Sequence, residues 1–140
     1  MSDVFSKEKR SWLMSRISGR DTKPEIAVRR ILHAMGYRFR LHVRQIPGNP
    51  DIVLPRHRKV VFVHGCFWHG HAGCPRSKRP STNVGFWNAK IDANMARDER
   101  AVRGLVGDGW RVLVIWECET RMQDQLIEKL SEFMRDKENN

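Results

Sequence analysis

The chain has 140 residues, and its 26 Lys and Arg against 16 Asp and Glu give a formal net charge of +10 at pH 7. This length predicts one domain, residues 1–140, and 40% hydrophobic residues exclude wholesale disorder. So strong a positive charge favours a polyanionic partner, most often nucleic acid. The longest apolar run, Val112–Trp116, is too short to span a membrane, and the N-terminus lacks the apolar segment of a secretory signal. We therefore expect a cytoplasmic protein, and a monomer because no apolar helix face calls for a partner.

Capping and stop signals predict helices towards both ends of the chain. A basic helix is predicted from Ser6 to about Ile17. A second helix begins at Thr22, because Thr22-Lys-Pro-Glu25 has the spacing of a capping box, and it ends before Gly36. A last helix is predicted over residues 123–135, followed by a frayed tail, residues 136–140.

Between these helices the hydrophobic pattern predicts strands and one long helix. The strands are expected at residues 37–43, 51–54, 59–63 and 110–116, and the helix at about 86–106. In the first strand, Arg38, Arg40 and His42 would form the exposed face. A helix between the last two strands predicts a βαβ crossover with a parallel strand pair. We therefore expect an α/β fold with a single mixed β-sheet flanked by helices.

A loop rich in Gly, His, Cys and Pro, residues 64–85, carries the first chemical signal. It reads His64-Gly-Cys66-Phe-Trp-His69-Gly-His71-Ala-Gly-Cys74. The only other cysteine of the chain, Cys118, follows the last predicted strand. Three thiolates and one imidazole form a common closed ligand set for structural zinc, which would pin this loop to the end of a core strand. His69 and His71 remain alternatives for the imidazole, and the cysteines could instead be buried as small apolar residues.

The second signal is a carboxylate at the start of a strand. Asp51 opens one predicted strand and His64 ends the next, so the two meet at one end of the sheet if the strands pair as a hairpin. An aspartate there can bind Mg²⁺, and a neutral histidine can take the proton of an attacking water. Asp51 could instead be only a turn residue after Pro50. Glu25 could be only the capping-box partner of Thr22. That role is compatible with a second role in a polar site.

Two pairs of adjacent aromatic residues complete the pattern. Phe67-Trp68 lie inside the proposed zinc loop, and Phe86-Trp87 follow it. A metal-pinned loop could present Phe67 and Trp68 outwards as a wedge that opens a base step, and a mismatched pair costs less to open. Phe86 is instead expected in the core, in the first turn of the long helix. The nearby basic residues Arg76, Lys78 and Arg79 could neutralise phosphates.

These motifs together resemble the very short patch repair (Vsr) DNA mismatch endonucleases, a branch of the PD-(D/E)xK nuclease superfamily. The resemblance runs from Arg10-Ser-x-x-Met14 to Cys118, and the His-Gly-Cys-Phe-Trp-His run is its most specific part. Its other markers are Asp21-Thr-Lys-Pro-Glu25, Pro47-Gly-Asn-Pro-Asp51, Phe86-Trp87 and Trp110-Arg-Val-Leu-Val-Ile-Trp-Glu-Cys118. The resemblance implies a PD-(D/E)xK-type fold with a zinc-stabilised loop. The superfamily's usual Glu-x-Lys is absent, since the equivalent strand ends Phe62-Val-His64, and histidine would replace the lysine chemistry.

The resemblance also implies an activity. A Vsr-like enzyme would recognise a T:G mismatch, which arises when 5-methylcytosine deaminates, and would nick the strand 5′ to the mispaired thymine. The expected partner is therefore double-stranded DNA with a T:G mismatch, which would place the protein on the nucleoid. Two alternatives remain open: a related endonuclease that cuts paired DNA, and a non-catalytic zinc-stabilised DNA-binding module.

Site residues follow from the resemblance position by position. The magnesium ligands would be Asp51 and the main-chain carbonyl of Val63. His69 would be the general base, and His64 and Glu25 would be the other active-site residues. The remaining positions are listed by role: zinc ligands Cys66, His71, Cys74 and Cys118; a major-groove wedge of Phe67, Trp68 and Trp87; and Met14, on a DNA-contacting N-terminal helix within residues 1–19, inserting from the minor groove.

Overall fold

The computed structural model describes residues 22–136. Its helices are α1 (Lys23–Ala34), α2 (Val84–Gly107) and α3 (Gln123–Arg135), and its strands are β1 (Arg40–Leu41), β2 (Ile52–Leu54), β3 (Lys59–His64) and β4 (Arg111–Trp116). Short 3₁₀ turns lie at Pro55–His57, Pro75–Ser77 and Glu117–Arg121. The predicted first helix, Met14 with it, and residues 137–140 lie outside the described part of the chain. Among the described helices, none combines the length and apolar character of a membrane span.

One mixed sheet with the strand order β1-β2-β3-β4 organises the molecule. The pairs β1–β2 and β2–β3 are antiparallel, whereas β3 and β4 are parallel and are connected through α2. The predicted mixed sheet and βαβ crossover are therefore confirmed. In the β3–β4 register His64 pairs with Trp116, so the residues that follow both strands emerge at one edge of the sheet. Asp51 precedes the antiparallel strand β2 and lies at this same edge.

The two faces of the sheet pack against different helices. On one face α1 and α3 cover a core of Val28, Leu32, Ile52, Leu54, Val61, Ile115, Leu126, Leu130 and Met134. On the other face α2 contributes Leu105 to a smaller cluster with Val53, Val60 and Phe62. Neighbouring strand residues point to opposite faces, so β2 and β3 must be apolar at almost every position. This burial fixes the sheet that carries the polar edge.

The predicted strand 37–43 is wrong in length, because only Arg40–Leu41 pair with β2. Tyr37 and Phe39 pack against the larger core cluster, but Val43 packs against the cluster on the other face. The segment therefore crosses the edge of the sheet instead of running along it. The crossing occurs at His42, whose φ of 50° lies in the left-handed region that non-glycine residues seldom adopt.

A buried lysine joins the start of β3 to the end of α3. Lys59 is 2% exposed. Its Nζ lies 2.7 Å from the carbonyl oxygen of Phe133, 3.1 Å from that of Met134 and 2.7 Å from that of Asp136. The ammonium thus donates to carbonyls at a helix C-terminus, where the helix itself supplies no donors and where cations are favoured. Asp136, the first residue of the predicted tail, is part of this arrangement.

Candidate active site and metal centre

A tight turn delivers Asp51 to the polar edge of the sheet. The turn Pro47–Pro50 contains two residues with left-handed backbones, Gly48 at φ 82° and Asn49 at φ 47°. A Cβ on Gly48 would lie 2.6 Å from Cβ of Ala101 on α2, so the turn needs glycine both for its conformation and for its approach to the helix. Asp51 leaves the turn with its Oδ2 accepting a hydrogen bond from the Val63 N–H at 2.6 Å.

The surroundings of Asp51 oppose its ionisation. Desolvation by the protein raises the pKa of this carboxyl from 3.8 to about 7, against the lowering effect of the Val63 hydrogen bond. The Glu25 carboxylate raises the pKa further, and the nearby His69 lowers it. A half-buried carboxylate with a second carboxylate beside it would be stabilised by a cation. Asp51 therefore has the surroundings of a candidate cation ligand.

Glu25 lies both at the capped N-terminus of α1 and among the polar residues of the sheet edge. It lies in the first turn of α1, where its N–H is 3.4 Å from the Thr22 hydroxyl oxygen that caps the helix. Glu25 is 4% exposed. Its Oε1 accepts a hydrogen bond from the Arg29 guanidinium at 2.9 Å and lies 3.5 Å from His42 Nε2. Ligand atoms of Glu25, His42 and Asp51 all lie within 4.8 Å of one another. The prediction that His42 points outwards with the arginines is wrong, because its left-handed backbone turns the ring towards Glu25.

His69 forms a close pair with an aspartate that sequence reasoning missed. The His69 Nδ1 is 2.6 Å from Asp98 Oδ2, on α2. With Nδ1 held by the carboxylate, Nε2 is the atom that can take up a proton. A sequence signal for Asp98 did exist. Asp98 lies seven residues after Ile91 and seven before Leu105, both fully buried, so it is an acid within the apolar stripe of the helix.

His64 lies buried against His69 at the end of β3. The two imidazoles stack face to face, with centroids 3.9 Å apart and an interplanar angle of 5°. Desolvation, followed by the effect of His69, lowers the pKa of His64 to about 4, so it is neutral near pH 7. Within residues 22–136, its buried Nδ1 has no hydrogen-bond partner. Such an atom calls for a polar partner beyond the described residues, and a cation's water shell could provide one.

The donor set at this edge therefore fits a hydrated hard cation. Asp51 and Glu25 offer carboxylate oxygens, the donors that Mg²⁺ prefers, and His64 offers a polar atom that lacks a protein partner. The Val63 N–H is directed to Asp51, and a role of the Val63 carbonyl remains a prediction. The group leaves room in the coordination shell for water and substrate, because it offers few protein donors.

The three cysteines converge with His71, not with His69. Ligand atoms of Cys66, His71, Cys74 and Cys118 all lie within 4.8 Å of one another, and His71 Nδ1 is 3.5 Å from Cys118 Sγ. All three thiols are free of disulfides. Desolvation raises the pKa of the Cys66 thiol to about 12, a cost that a zinc ion reverses by holding thiolates. Four soft or borderline donors around one point fit tetrahedral zinc.

One glycine separates the two polar groups. Gly70 has φ 62°, and a Cβ there would lie 2.6 Å from Met95 Sδ on α2. The left-handed backbone favours glycine at this position, and a Cβ would also crowd Cγ2 of the buried Ile91, at 3.2 Å. The reversal at Gly70 sends His69 to Asp98 and His71 to the cysteines. The Ser77 hydroxyl, 2.6 Å from the His71 carbonyl oxygen and 2.8 Å from that of Cys74, ties the loop together beyond it.

The aromatic residues of the loop gather on the N-terminal end of α2. Ring centroids are 5.2 Å apart for Phe67 and Trp68, 5.5 Å for Phe67 and Trp87, and 5.8 Å for Trp68 and Trp87. All three residues are half-buried. Asn94 Nδ2 donates to the Trp68 carbonyl at 2.9 Å and so fixes the loop to the helix. The three predicted wedge residues thus form one contiguous apolar group.

One sequence expectation near this group, the burial of Phe86, is not met. Phe86 is wrong as a core residue: it is 62% exposed, with its ring edge against Trp87. It precedes the first buried residue of α2, Ile91, and points away from the sheet. The Arg79 guanidinium donates to Asn88 at 3.0 Å and to Asp92 at 2.9 Å, and its contact with phosphate stays a prediction. These bonds clamp the end of the loop to α2, whereas Arg76 and Lys78 are exposed.

Comparison with known proteins places this geometry in context. A family model described as "DNA mismatch endonuclease Vsr" matches residues 2–75. The chain is 52% identical over 119 residues to the "Type II nicking enzyme V.XorIIP" of Xanthomonas oryzae pv. oryzae, covering 85% of this chain and 87% of that protein. It is 42% identical over 129 residues to the "DNA mismatch endonuclease Vsr" of Escherichia coli, covering 92% and 82%. It is 40% identical over 136 residues to the "Type II nicking enzyme V.NmeAIP" of Neisseria meningitidis, covering 97% and 96%.

The fold is also shared with a solved structure. The catalytic domain of the homing endonuclease I-Bth0305I aligns with a TM-score of 0.55 and 24% sequence identity, covering 81% of this chain and 94% of that one. This likeness, together with the mixed sheet, agrees with the predicted PD-(D/E)xK-type nuclease fold.

Proposed function

The chain belongs to the Vsr family of DNA mismatch endonucleases and is an endodeoxyribonuclease, and from this premise we propose its reaction. It nicks the strand 5′ to the mispaired thymine of a T:G mismatch, with Mg²⁺, in very short patch repair of deaminated 5-methylcytosine. The observation that carries this proposal is the meeting of Asp51 with the His69–Asp98 pair at one edge of the sheet. Hydrolysis of a phosphodiester needs a charge-stabilising centre and a base side by side.

His69 acts as the general base in this proposal. Its Nε2 takes the proton of the attacking water, while the 2.6 Å contact of Nδ1 with Asp98 keeps the ring in the accepting tautomer. The Asp98 carboxylate then stabilises the imidazolium that forms. His64 stays neutral near pH 7, and its ring can donate a hydrogen bond to a neighbouring water or accept one from it. Asp98 is a positioning residue that acts through His69.

Asp51 and the Val63 carbonyl would hold Mg²⁺, with Glu25 orienting its hydration. Bound there, the cation supplies stabilisation of the charge that develops on the phosphodiester and acidifies a bound water. Without a bound cation, the raised pKa of Asp51 means that this carboxyl keeps its proton up to about pH 7. Metal and proton therefore compete for this carboxylate.

Zinc has a structural role in this proposal. Cys66, His71, Cys74 and Cys118 supply four protein donors, which complete a tetrahedral shell and leave no position for substrate. Cys118 follows β4 and the other three ligands lie in the loop, so the ion would pin the loop to the sheet. The pinned loop carries both His69 and the aromatic wedge.

Recognition is assigned to the aromatic group and the N-terminal segment. Phe67, Trp68 and Trp87 enter from the major groove and unstack the mismatched step, while Met14, within residues 1–19, inserts from the minor groove. The single domain of residues 1–140 acts as a monomer, and its +10 charge provides sequence-independent affinity for DNA.

A second candidate function comes from the relatives. Two of the proteins reported above are named type II nicking enzymes, one of them 52% identical to this chain. An enzyme with the same active site could therefore nick fully paired DNA. The two functions differ in whether the aromatic group requires a weakened base pair.

A nicking assay separates these functions. Two end-labelled duplexes, one with a single T:G mismatch and one fully paired, are incubated with the zinc-loaded protein, with and without Mg²⁺, across a pool of flanking sequences. The proposal expects a Mg²⁺-dependent cut on the thymine strand of the mismatched duplex alone. Equal cutting of both duplexes would establish the second candidate. If the wild type binds DNA as tightly as Asp51→Asn does and neither protein cuts it, the chain is a non-catalytic DNA-binding module.

A further inference from the structure

Four aromatic rings connect the proposed zinc centre with the proposed catalytic base. The indole of Trp116 stacks on His71, with centroids 4.1 Å apart and an interplanar angle of 8°. Its edge meets His64 at 5.3 Å and 74°. His64 in turn stacks on His69 at 3.9 Å and 5°. Trp116 is therefore the one ring in this series that touches a residue of both polar groups.

Hydrogen bonds fix the two ends of the series but not its middle. His69 is held by Asp98, and His71 lies with the cysteines. His64 has a buried Nδ1 without a hydrogen-bond partner among the described residues. Its ring plane must therefore be set by packing, against His69, Trp116 and the tilted ring of Phe62 at 5.6 Å.

The backbone at Trp116 is fixed by the sheet and by contacts with the segment that follows β4. Trp116 pairs with His64 in the β3–β4 register and is half-buried at the end of β4. Its main-chain N–H donates to Glu119 Oε1 at 2.8 Å, and Glu119 Oε2 accepts from Lys129 Nζ at 2.6 Å. Lys129 belongs to α3, so the backbone at Trp116 is tied both to the sheet and to a core helix. An indole that projects from a backbone fixed in this way can orient its neighbours His64 and His71.

We propose that Trp116 is a positioning residue that sets the ring planes of His64 and His71 and thereby couples the zinc loop to the catalytic histidines. This inference rests on the proposed function, since it assigns His69 and the zinc ligands as above. Without the indole, His64 loses the edge contact at 5.3 Å that supports its ring beside His69. Because a small misplacement of a catalytic group costs roughly ten- to a hundredfold in rate, the effect falls on the chemical step and not on DNA binding.

The test compares Trp116→Leu and Trp116→Phe with Trp110→Leu. Trp110 is a matched control: it lies before β4, under the Arg58 guanidinium at 4.4 Å, and belongs to the smaller core cluster. For each zinc-loaded variant we would measure the single-turnover nicking rate, the Kd for the mismatched duplex, the zinc content, and the rate of zinc transfer to a colorimetric chelator.

Trp116→Leu should lower the nicking rate by about ten- to a hundredfold, with Kd for DNA within about twofold of wild type. It should also release zinc several times faster, since His71 loses its stacking partner. Trp116→Phe keeps a flat ring and should recover most of both losses. Equal rates in Trp116→Leu and wild type would overturn the inference. So would an equal loss of rate in Trp110→Leu, which would mean that general destabilisation is the cause.

A spectroscopic measurement covers the case in which Trp116→Leu fails to fold. Imidazole proton and nitrogen resonances are recorded for wild type and Trp116→Phe, with exposed His33 as the internal reference. The smaller ring should shift the resonances of His64 and His71 and leave those of His33 in place. Unshifted His64 resonances would overturn the inference. If the wild type nicks no duplex, the proposed function fails, and this spectrum still decides whether Trp116 sets the ring planes.

Discussion

The molecule carries two polar groups at one edge of its sheet, and they differ in how many of a metal ion's ligands the protein itself can supply. Around one point stand Cys66, Cys74, Cys118 and His71, four donors that suit zinc. The other group consists of two adjoining clusters, Glu25, His42 and Asp51 with two carboxylates, and His64, His69 and Asp98 with two imidazoles. One short loop, reversed at Gly70, contributes to both.

This difference separates what holds the loop from what uses it. A closed set of protein donors gives up reactivity for folding free energy. An open set leaves positions for water and phosphate, and it is unstable by itself, as the raised pKa of Asp51 shows. A site built from desolvated carboxylates thus depends on a rigid backbone, which the neighbouring cysteine and histidine group could provide once it holds zinc.

The largest expected effect separates the two histidines of the loop. His71→Ala should lose zinc and lower the free energy of unfolding by about 5 kcal/mol, a fall in Tm of roughly 15 °C. His69→Ala, two residues away, should keep zinc and wild-type stability while it loses activity. Metal analysis and calorimetry of the two variants check this. A zinc-free His69→Ala would reverse our assignment of the ligands.

Asp51→Asn should abolish nicking without disturbing the fold. The amide cannot hold the cation, so the single-turnover rate should fall by at least about 10³-fold. Binding of the mismatched duplex and zinc content should be unchanged. Asp108→Asn, an exposed aspartate at the far end of α2, is the matched control. Cleavage retained by Asp51→Asn would remove this residue from the reaction.

The raised pKa of Asp51 also predicts a pH dependence of stability. The folded state holds this proton up to about pH 7, whereas the unfolded chain loses it near 3.8. The folded state of the wild type is therefore penalised as pH rises through this window, by up to about 4 kcal/mol above pH 7. Denaturant unfolding in magnesium-free, zinc-containing buffer should show Asp51→Asn more stable than wild type at pH 8, with the advantage gone below pH 4. A difference that is constant with pH would contradict the shift.

Asp98→Asn tests how the base is held. The amide can donate to Nδ1 and favour the wrong tautomer of His69, so we expect the nicking rate to fall by about 10²-fold with little change in Kd for DNA. Single-turnover kinetics with separate binding titrations check the split. A change in Kd alone would make Asp98 a DNA contact instead of a positioning residue.

The smallest effect concerns discrimination. Phe67→Ala and Trp68→Ala should each reduce the preference for mismatched over paired duplex by about tenfold, since the stacking of one base on an aromatic side chain contributes about 1–3 kcal/mol. Val106→Ala, an exposed apolar residue at the other end of α2, is the control. The ratio of nicking rates on the two duplexes is the measurement. An unchanged ratio would exclude these rings from recognition.

The fold could be predicted from the sequence wherever burial imposes a period. The helix 123–135 has the predicted bounds, and the parallel pair β3–β4 follows from an apolar run on either side of a long helix. The strand 37–43 failed because its apolar residues divide between two core clusters, which alternation along the chain does not reveal.

The candidate site was predictable mainly where its residues lie in a recognisable motif. The dense Cys and His run from 64 to 74 indicates a metal site, and Pro and Gly mark the turn before Asp51. Asp98 and His42 come from other elements and depend on tertiary approach. Phe86 was misjudged because an aromatic residue at the start of an amphipathic helix normally faces the core, whereas here it precedes the helix's first buried turn.

The hydrogen bonds of Lys59 set a boundary on how short the chain can become. Its ammonium is buried, and its partners include the Asp136 carbonyl near the end of the described residues. A protein truncated before Phe133 would keep the sheet and every residue of the two polar groups, yet it would leave a cation in the core without these acceptors. Removing one partner of a buried charge typically costs about 3–5 kcal/mol. Truncations and C-terminal fusions should therefore begin after Asp136, well beyond the last residue with a chemical role.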